Sequence, residues 1–391
     1  MTAFYIHYPY CLSKCPYCDF NSHVSDNINY QNMLQSYRHE IDFFAENIVD
    51  NNINSIFFGG GTPSLMPVQL VAEILQYIYQ KFTLRQNCEI SLEANPTSVE
   101  ADKFKNLKSI GINRISLGIQ AFNANDLKFL GRTHCPQEAK NAIKIASDNF
   151  TNFSFDLIYA RPKQTTKEWL DELREALNFQ SPHLSLYQLT IEKGTVFFSD
   201  FNKNKFSLPN EDQASELFEK TNELMQQYSY HHYEISNYCQ PKFACLHNLA
   251  YWQSEDYIGI GAGAHSRVYL KNSNYRHEII MEHEPNNWQN KNLKNGHAIQ
   301  QNNIILSEQL IEEIIMMGLR LESGINESIF KKNIGKKFNE IFDAQKLDFL
   351  LTNNFLQFDD SDNNLYLKIP QKNRILTNSI IHKLINCICI K

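Results

Sequence analysis

The sequence predicts an α/β protein, a parallel sheet rolled into a full or partial barrel and followed by a smaller α+β module. Three observations carry this expectation. Short β-branched and aromatic runs alternate with longer amphipathic stretches through the first 190 residues. The cysteine, glycine and carboxylate motifs fall at or just beyond the C-terminal ends of those runs, where α/β barrels place their chemistry. Past about residue 210 the alternation stops, and helical patterns with one short hairpin take over.

The strand candidates are Phe4–His7, Ser55–Phe58, Glu89–Ala94, Arg114–Ile119, Asn152–Leu157 and His183–Leu189. Each ends at glycine, proline or polar residues, which interrupt a strand. Helical stretches lie between them at Asn29–Asn47, Pro67–Lys81, Val99–Ser109, Pro136–Ser147 and Lys167–Leu177. Pro67 and Pro136 sit at first-turn positions, where a missing N–H is harmless. A helix over Glu211–Tyr228 follows, then a short run Tyr233–Tyr238 and a glycine-rich segment from Ile258 to His265. Residues 272–303 are heavy in Asn and Gln and are expected to be partly irregular. Helices over Glu308–Leu321 and Asn339–Thr352, a two-stranded wing at Phe355–Phe358 and Leu365–Ile369, and a final helix complete the chain. The expected boundaries are 1–210 for the core barrel, 211–300 for a barrel extension and 301–391 for a winged-helix-like domain.

Composition narrows the function. A net charge of −6 argues against a protein whose main partner is nucleic acid. The start Met1-Thr2-Ala3-Phe4-Tyr5 has no basic region and no long apolar core, and no stretch of 18 apolar residues occurs. The expectation is therefore a cytoplasmic protein with no transmembrane segment. In that setting, three of the nine cysteines falling within eight residues point to metal or redox chemistry, not to disulfides.

Cys11, Cys15 and Cys18 are spaced CxxxCxxC in a loop directly after the first strand. Three thiolates at this spacing can wrap one side of an iron–sulfur cubane and leave one iron open. Zinc is the alternative, with His7 or His23 as a fourth ligand. Gly59-Gly60-Gly61-Thr62-Pro63 follows the second strand and would let backbone approach a ligand closely, although strand-to-helix turns also use glycine. Glu93, Gln120 and Asp156 each place a polar side chain near the end of a later strand.

Together the Tyr5-Ile-His-Tyr-Pro-Tyr-Cys11 lead-in, the CxxxCxxC loop, the GGGTP turn, the LGIQ strand end and the DLIY strand resemble the radical-SAM superfamily. More narrowly, they resemble the branch of the oxygen-independent coproporphyrinogen III dehydrogenase and its heme-chaperone relatives. The resemblance implies a partial (β/α)6-type barrel, a [4Fe–4S] cluster on Cys11, Cys15 and Cys18, and S-adenosylmethionine (SAM) on the open iron. It further implies SAM contacts from Tyr5, Tyr17, Gly60, Gly61, Thr62, Glu93, Gln120, Arg132 and Asp156, and an external electron donor for the cluster.

Within the branch, the dehydrogenase carries a further cysteine where this chain has Phe20, and a longer arm ahead of its first strand. Both departures disfavour porphyrinogen decarboxylation. His247-Asn-Leu-Ala-Tyr251-Trp252 resembles the HNxxYW motif of the chaperone group. That motif implies heme as a ligand, with His247 as a candidate axial ligand and a heme-accepting, respiratory-type protein as partner. A structural histidine beside core aromatics is the competing reading of His247. Cys239, Cys245, Cys387 and Cys389 read as small apolar residues. Where the family pattern continues DLIYGLP, this chain has Ala160 and Arg161, which puts the adjacent loop geometry in question.

Overall fold

The computed structural model describes residues 2–97, 103–361 and 364–389. Strands covered on both faces must be apolar almost throughout. β1 (Thr2–Tyr8) accordingly buries every residue except the half-buried Tyr5. β2 (Tyr10–Cys11) and β3 (His23–Val24) pair in parallel, Cys11 opposite Val24, and so tie the two ends of the cysteine loop together. β4 (Asn52–Gly60), β5 (Thr83–Ala94), β6 (Arg114–Gln120), β7 (Asn152–Tyr159) and β8 (His183–Gln188) continue the parallel sheet.

The six expected strands all occur, and six more join them in a 12-stranded sheet. β9 (His231–His232) and β10 (Asn237–Cys239) replace the expected Tyr233–Tyr238 run and pair antiparallel beyond β8. β11 (Asp256–Ile260), from the glycine-rich segment, pairs in parallel with the other side of β1. β12 (His265–Tyr269), β13 (Arg276–Met281) and β14 (Ile299–Ile305) extend that side as antiparallel strands. The resulting order, β14-β13-β12-β11-β1-β4-β5-β6-β7-β8-β10-β9, leaves β14 and β9 as separate edges, so the barrel is partial.

The expectation of irregular structure over 272–303 is corrected. That segment holds β13, a helix Pro285–Asn295 and β14. The helix starts at Glu284, whose carboxylate accepts from the Asn286 and Asn287 N–H groups, and ends at Gly296 with φ 76°. Its Trp288 and Asn292 are buried, while five successive residues of β14 face solvent, which accounts for their Asn and Gln content. The helix expected over Val99–Ser109 is present as Phe104–Ser109; residues 98–102 lie outside the described residues.

The last part has its own core, built on Ile311, Ile314, Phe330, Leu367 and Leu384. Helices Ser307–Gly318, Glu327–Ile334, Ala344–Thr352 and Thr377–Ile385 pack around a small antiparallel sheet. Its strands are β15 (Ile325–Asn326), β16 (Gln357–Ser361) and β17 (Asn364–Lys368), with β17 central. This is the expected winged-helix-like arrangement with one added strand. Among the described residues no helix is long and apolar enough to cross a membrane.

Candidate functional site

The C-terminal ends of β4, β5, β6 and β7 and the loop after β1 converge on one cleft. Its lining includes Cys11, Cys15, Tyr17, Cys18, Gly60, Gly61, Thr62, Glu93, Gln120, Arg132 and Asp156. All three cysteines are free and half-buried. Thr62 Oγ1 donates to Cys11 Sγ at 3.6 Å and Arg132 Nη1 donates to Cys15 Sγ at 3.5 Å. Burial pushes the Cys11 and Cys18 thiols up, so metal binding there would displace protons.

The donor set fits a cluster better than a single ion. Among the described residues no three His, Cys, Asp or Glu side chains gather closely enough to hold one metal ion. A cubane instead takes each thiolate on a different iron. Of the two histidines that might complete a zinc site, His7 has both ring nitrogens bonded and His23 has one. His7 uses Nδ1 with the Tyr5 hydroxyl (3.1 Å) and Nε2 with the Asn21 carbonyl (2.8 Å), and His23 Nε2 bonds Asn21 Oδ1 (3.1 Å).

The glycine turn has a packing reason of its own. A Cβ on Gly61 would lie 2.4 Å from the Tyr10 carbonyl oxygen, and one on Gly60, with φ 110°, 2.6 Å from the His7 ring. These glycines let the end of β4 sit directly against the lead-in to the cysteine loop. Gly60 N–H also donates to Glu93 Oε2 at 3.2 Å. Burial, with the nearby Asp156 charge adding to it, raises the Glu93 carboxyl to about 8. Burial raises Asp156 to about 6 against the opposing effects of Ser185, Arg114 and Arg132. For both acids the loss of solvent outweighs the nearby guanidinium charges. Gln120 is held at φ 70°, a left-handed conformation uncommon for a residue with a side chain, and its Oε1 is buried without a hydrogen-bond partner.

Tyr17 lines the cleft and leans on Phe197, with ring centroids 6.3 Å apart. Tyr5 and His247 are not among the cleft-lining residues. Tyr5 stacks on His247 at 6.0 Å and 29°. His247 is 1% exposed, stacks on Phe57 at 4.9 Å, and uses Nδ1 with Ser55 Oγ (3.2 Å) and Nε2 with Tyr251 Oη (2.8 Å). Burial, then the Arg114 charge, lowers its imidazole to about 3. In this arrangement neither nitrogen is available to a heme iron.

One residue that ties the site together, Asn95, escaped the sequence reading. Asn95 Oδ1 accepts from Arg132 Nη2 at 2.5 Å while its Nδ2 donates to Thr62 Oγ1 at 3.2 Å, bridging two sides of the cleft. Its position two residues past Glu93 and just before Pro96 was the available signal. Arg161 is turned away from the cleft lining. It is 3% exposed and pairs with Glu172 Oε2 at 2.5 Å and Asp126 Oδ2 at 3.3 Å, tying two helices together. Ala160 has φ 56°, a backbone position where glycine is unstrained.

A family model of the Radical SAM superfamily matches residues 5–176, and one of the HemN C-terminal domain matches residues 305–362. The chain is 42% identical over 272 residues to the heme chaperone HemW of Haemophilus influenzae, covering 68% of this chain and 70% of that one. It is 31% identical over 387 residues to the zebrafish (Danio rerio) mitochondrial radical S-adenosyl methionine domain-containing protein 1, covering 97% and 86%. Among solved structures, coproporphyrinogen III oxidase (HemN) from Escherichia coli matches with a TM-score of 0.78 at 20% identity, over 98% of this chain and 90% of that one. At that identity the likeness concerns the fold alone.

Proposed function

The chain belongs to the radical SAM superfamily, in the branch of the heme chaperone HemW, and from that membership we propose that it binds heme and passes it to an acceptor protein, with a [4Fe–4S] cluster and an exchangeable SAM in the cleft. The observation that carries this reading is the gathering of Cys11, Cys15 and Cys18 with Glu93, Gln120, Arg132 and Asp156 around one cavity.

In the proposal the three thiolates hold three irons of the cluster. When bound, the cluster supplies an open iron for SAM and a source of single electrons. Arg132 stabilises the Cys15 thiolate through its Nη1 hydrogen bond. Glu93 and Asp156, whose ionisation burial opposes, provide a place for a ligand ammonium or sulfonium, which would restore their charge. Gln120 Oε1 offers an unused acceptor, and Tyr17 an aromatic wall. The backbone of Gly60, Gly61 and Thr62 would receive the methionyl end. Tyr5 does not line the cleft but bonds His7, whose ring packs against Gly60. His247 is not carried forward as heme ligand, because both ring nitrogens are already bonded inside the protein. The acceptor is proposed to be a heme-dependent respiratory protein, and a separate donor to reduce the cluster.

Phe20 stands at the cleft where the dehydrogenase pattern has its further cysteine, which favours the chaperone reading over porphyrinogen decarboxylation. The test is paired. Anaerobically reconstituted protein should shift the Soret band of added heme and lose that heme to an apo-acceptor. The same preparation, given coproporphyrinogen III, SAM and reductant, should form no protoporphyrinogen. Formation of that product, or no heme binding, overturns the reading.

A further inference from the structure

Below the cofactor cleft, the barrel interior holds a buried cation with an acid, Glu89, beside it. Arg114, near the start of β6, is 2% exposed. Its Nη2 donates to Ser154 Oγ at 2.8 Å, and Ser154 Oγ donates to Ser116 Oγ at 2.9 Å. Ser116 lines the cleft itself. Its charge also reaches upward, opposing the burial that raises both Glu93 and Asp156.

On its other side Arg114 faces Glu89, with Nε 3.9 Å from Oε2 and no hydrogen bond from that Nε to any group. Glu89 is 6% exposed. Its Oε1 accepts from Leu246 N–H at 3.1 Å, His247 N–H at 3.5 Å and Cys245 Sγ at 3.4 Å. It therefore serves as the anionic cap of the helix Leu246–Trp252, which carries the HNLAYW segment. One buried guanidinium thus lies between the cleft, which it reaches through Ser154 and Ser116, and the acid that fastens this helix, and its contact with the latter is long for a committed ion pair.

We propose that Arg114 couples occupancy of the cofactor cleft to the helix Leu246–Trp252. A cationic ligand beside Glu93 and Asp156 supplies the charge that Arg114 otherwise shares with them. The guanidinium is then free to close on Glu89 and tighten the helix start. In the proposal the switching element is Arg114 itself, held toward the cleft on Ser154 or closed on Glu89, and both sites bias it. The inference rests on the reading of the cleft as a SAM site but not on heme binding.

The test uses the full-length, cluster-reconstituted protein without heme, measuring SAM binding by equilibrium dialysis and amide hydrogen exchange across residues 245–252. In the wild type, SAM should slow exchange of these amides by about fivefold or more, the lower end of ordinary coupling between sites. Glu89→Gln keeps an acceptor at the helix start but removes the charge, and should bind SAM while losing the change in exchange. Arg114→Lys keeps the charge on a shorter, more mobile stem and should retain part of it. SAM binding with unchanged exchange in the wild type, or an equal change in Glu89→Gln, overturns the coupling and leaves the chaperone reading intact. Absence of SAM binding overturns the cofactor reading and this inference with it.

Discussion

His247 Nε2 lies 2.8 Å from the hydroxyl of Tyr251, one helical turn further on, while the face of its ring stacks on Phe57 at 4.9 Å and 20°. A histidine so enclosed acts as a neutral packing element with two directed hydrogen bonds. Truncating it opens a cavity beside Phe57 and Tyr5 and leaves Ser55 without that partner. His247→Ala should therefore destabilise the cluster-free protein by about 2–4 kcal/mol, as other large buried truncations do. Urea denaturation followed by circular dichroism measures this. Where the variant remains folded, its heme complex should keep the wild-type Soret position; a displaced Soret band at full folding would restore His247 as the iron ligand.

The cysteine loop gives a more local expectation. Each of Cys11, Cys15 and Cys18 is assigned a different iron, so removing any one leaves an iron without its protein ligand. Single Cys→Ala variants reconstituted anaerobically should lose most of the iron–sulfur absorbance near the visible shoulder. Cys88→Ala is the control, because that thiol is buried on β5, 7% exposed, and lines no part of the cleft. Equal cluster content in Cys15→Ala and Cys88→Ala would defeat the ligand assignment.

The contrast between these residues shows what the sequence could convey. The cysteines, Gly60, Gly61, Glu93, Gln120, Arg132 and Asp156 stand at strand ends or in adjoining loops, and a strand end can be read from local pattern. All of them do meet at one cleft. Arg114 and Glu89 were read only as strand boundaries, because their meaning lies in a contact between neighbouring strands and with a helix more than 150 residues away. β13 and β14 were missed for another reason. The exposed face of β14 is built from Gln and Asn, so composition pointed to a loop while pairing with β13 made it a strand.

Glu40 supplies a pH-dependent prediction. It is wholly buried in the helix Tyr30–Asn47, and its carboxylate accepts from Trp288 Nε1 (2.7 Å), Asn292 Nδ2 (3.0 Å) and Gly261 N–H (2.8 Å). It thereby fastens the late helix and the β11 turn to the barrel. Burial outweighs these donors and raises its carboxyl from 4.5 to about 7. An acid with a raised native pKa binds its proton more tightly folded than unfolded, so it stabilises the fold at low pH. That contribution falls as pH rises from about 4.5 to about 7 and then stays constant. The change amounts to roughly 3 kcal/mol, at about 1.4 kcal/mol per unit. Glu40→Gln should lack this slope. Denaturation of both proteins at intervals across the window checks it, and parallel pH profiles would show that Glu40 is not the titrating group.

Ala160 offers a different case, a buried substitution expected to cost little. It follows β7 with φ 56°, where the Cβ of any L-residue crowds its own backbone, and it is 4% exposed. Glycine removes that crowding, which costs an L-residue about 1–2 kcal/mol. It also gives the unfolded chain more freedom, which takes back about 0.4–1 kcal/mol. The small lost methyl takes back a further part, about 0.8 kcal/mol when fully buried. These terms leave Ala160→Gly within about 1 kcal/mol of neutral in either direction, where a buried substitution usually destabilises by about 1 kcal/mol or more. The Arg161 pairing with Glu172 and Asp126 anchors the next residue and should hold the turn in place in either variant. A fall in stability above about 1 kcal/mol in denaturant titration would mean that the methyl's packing outweighs the strain.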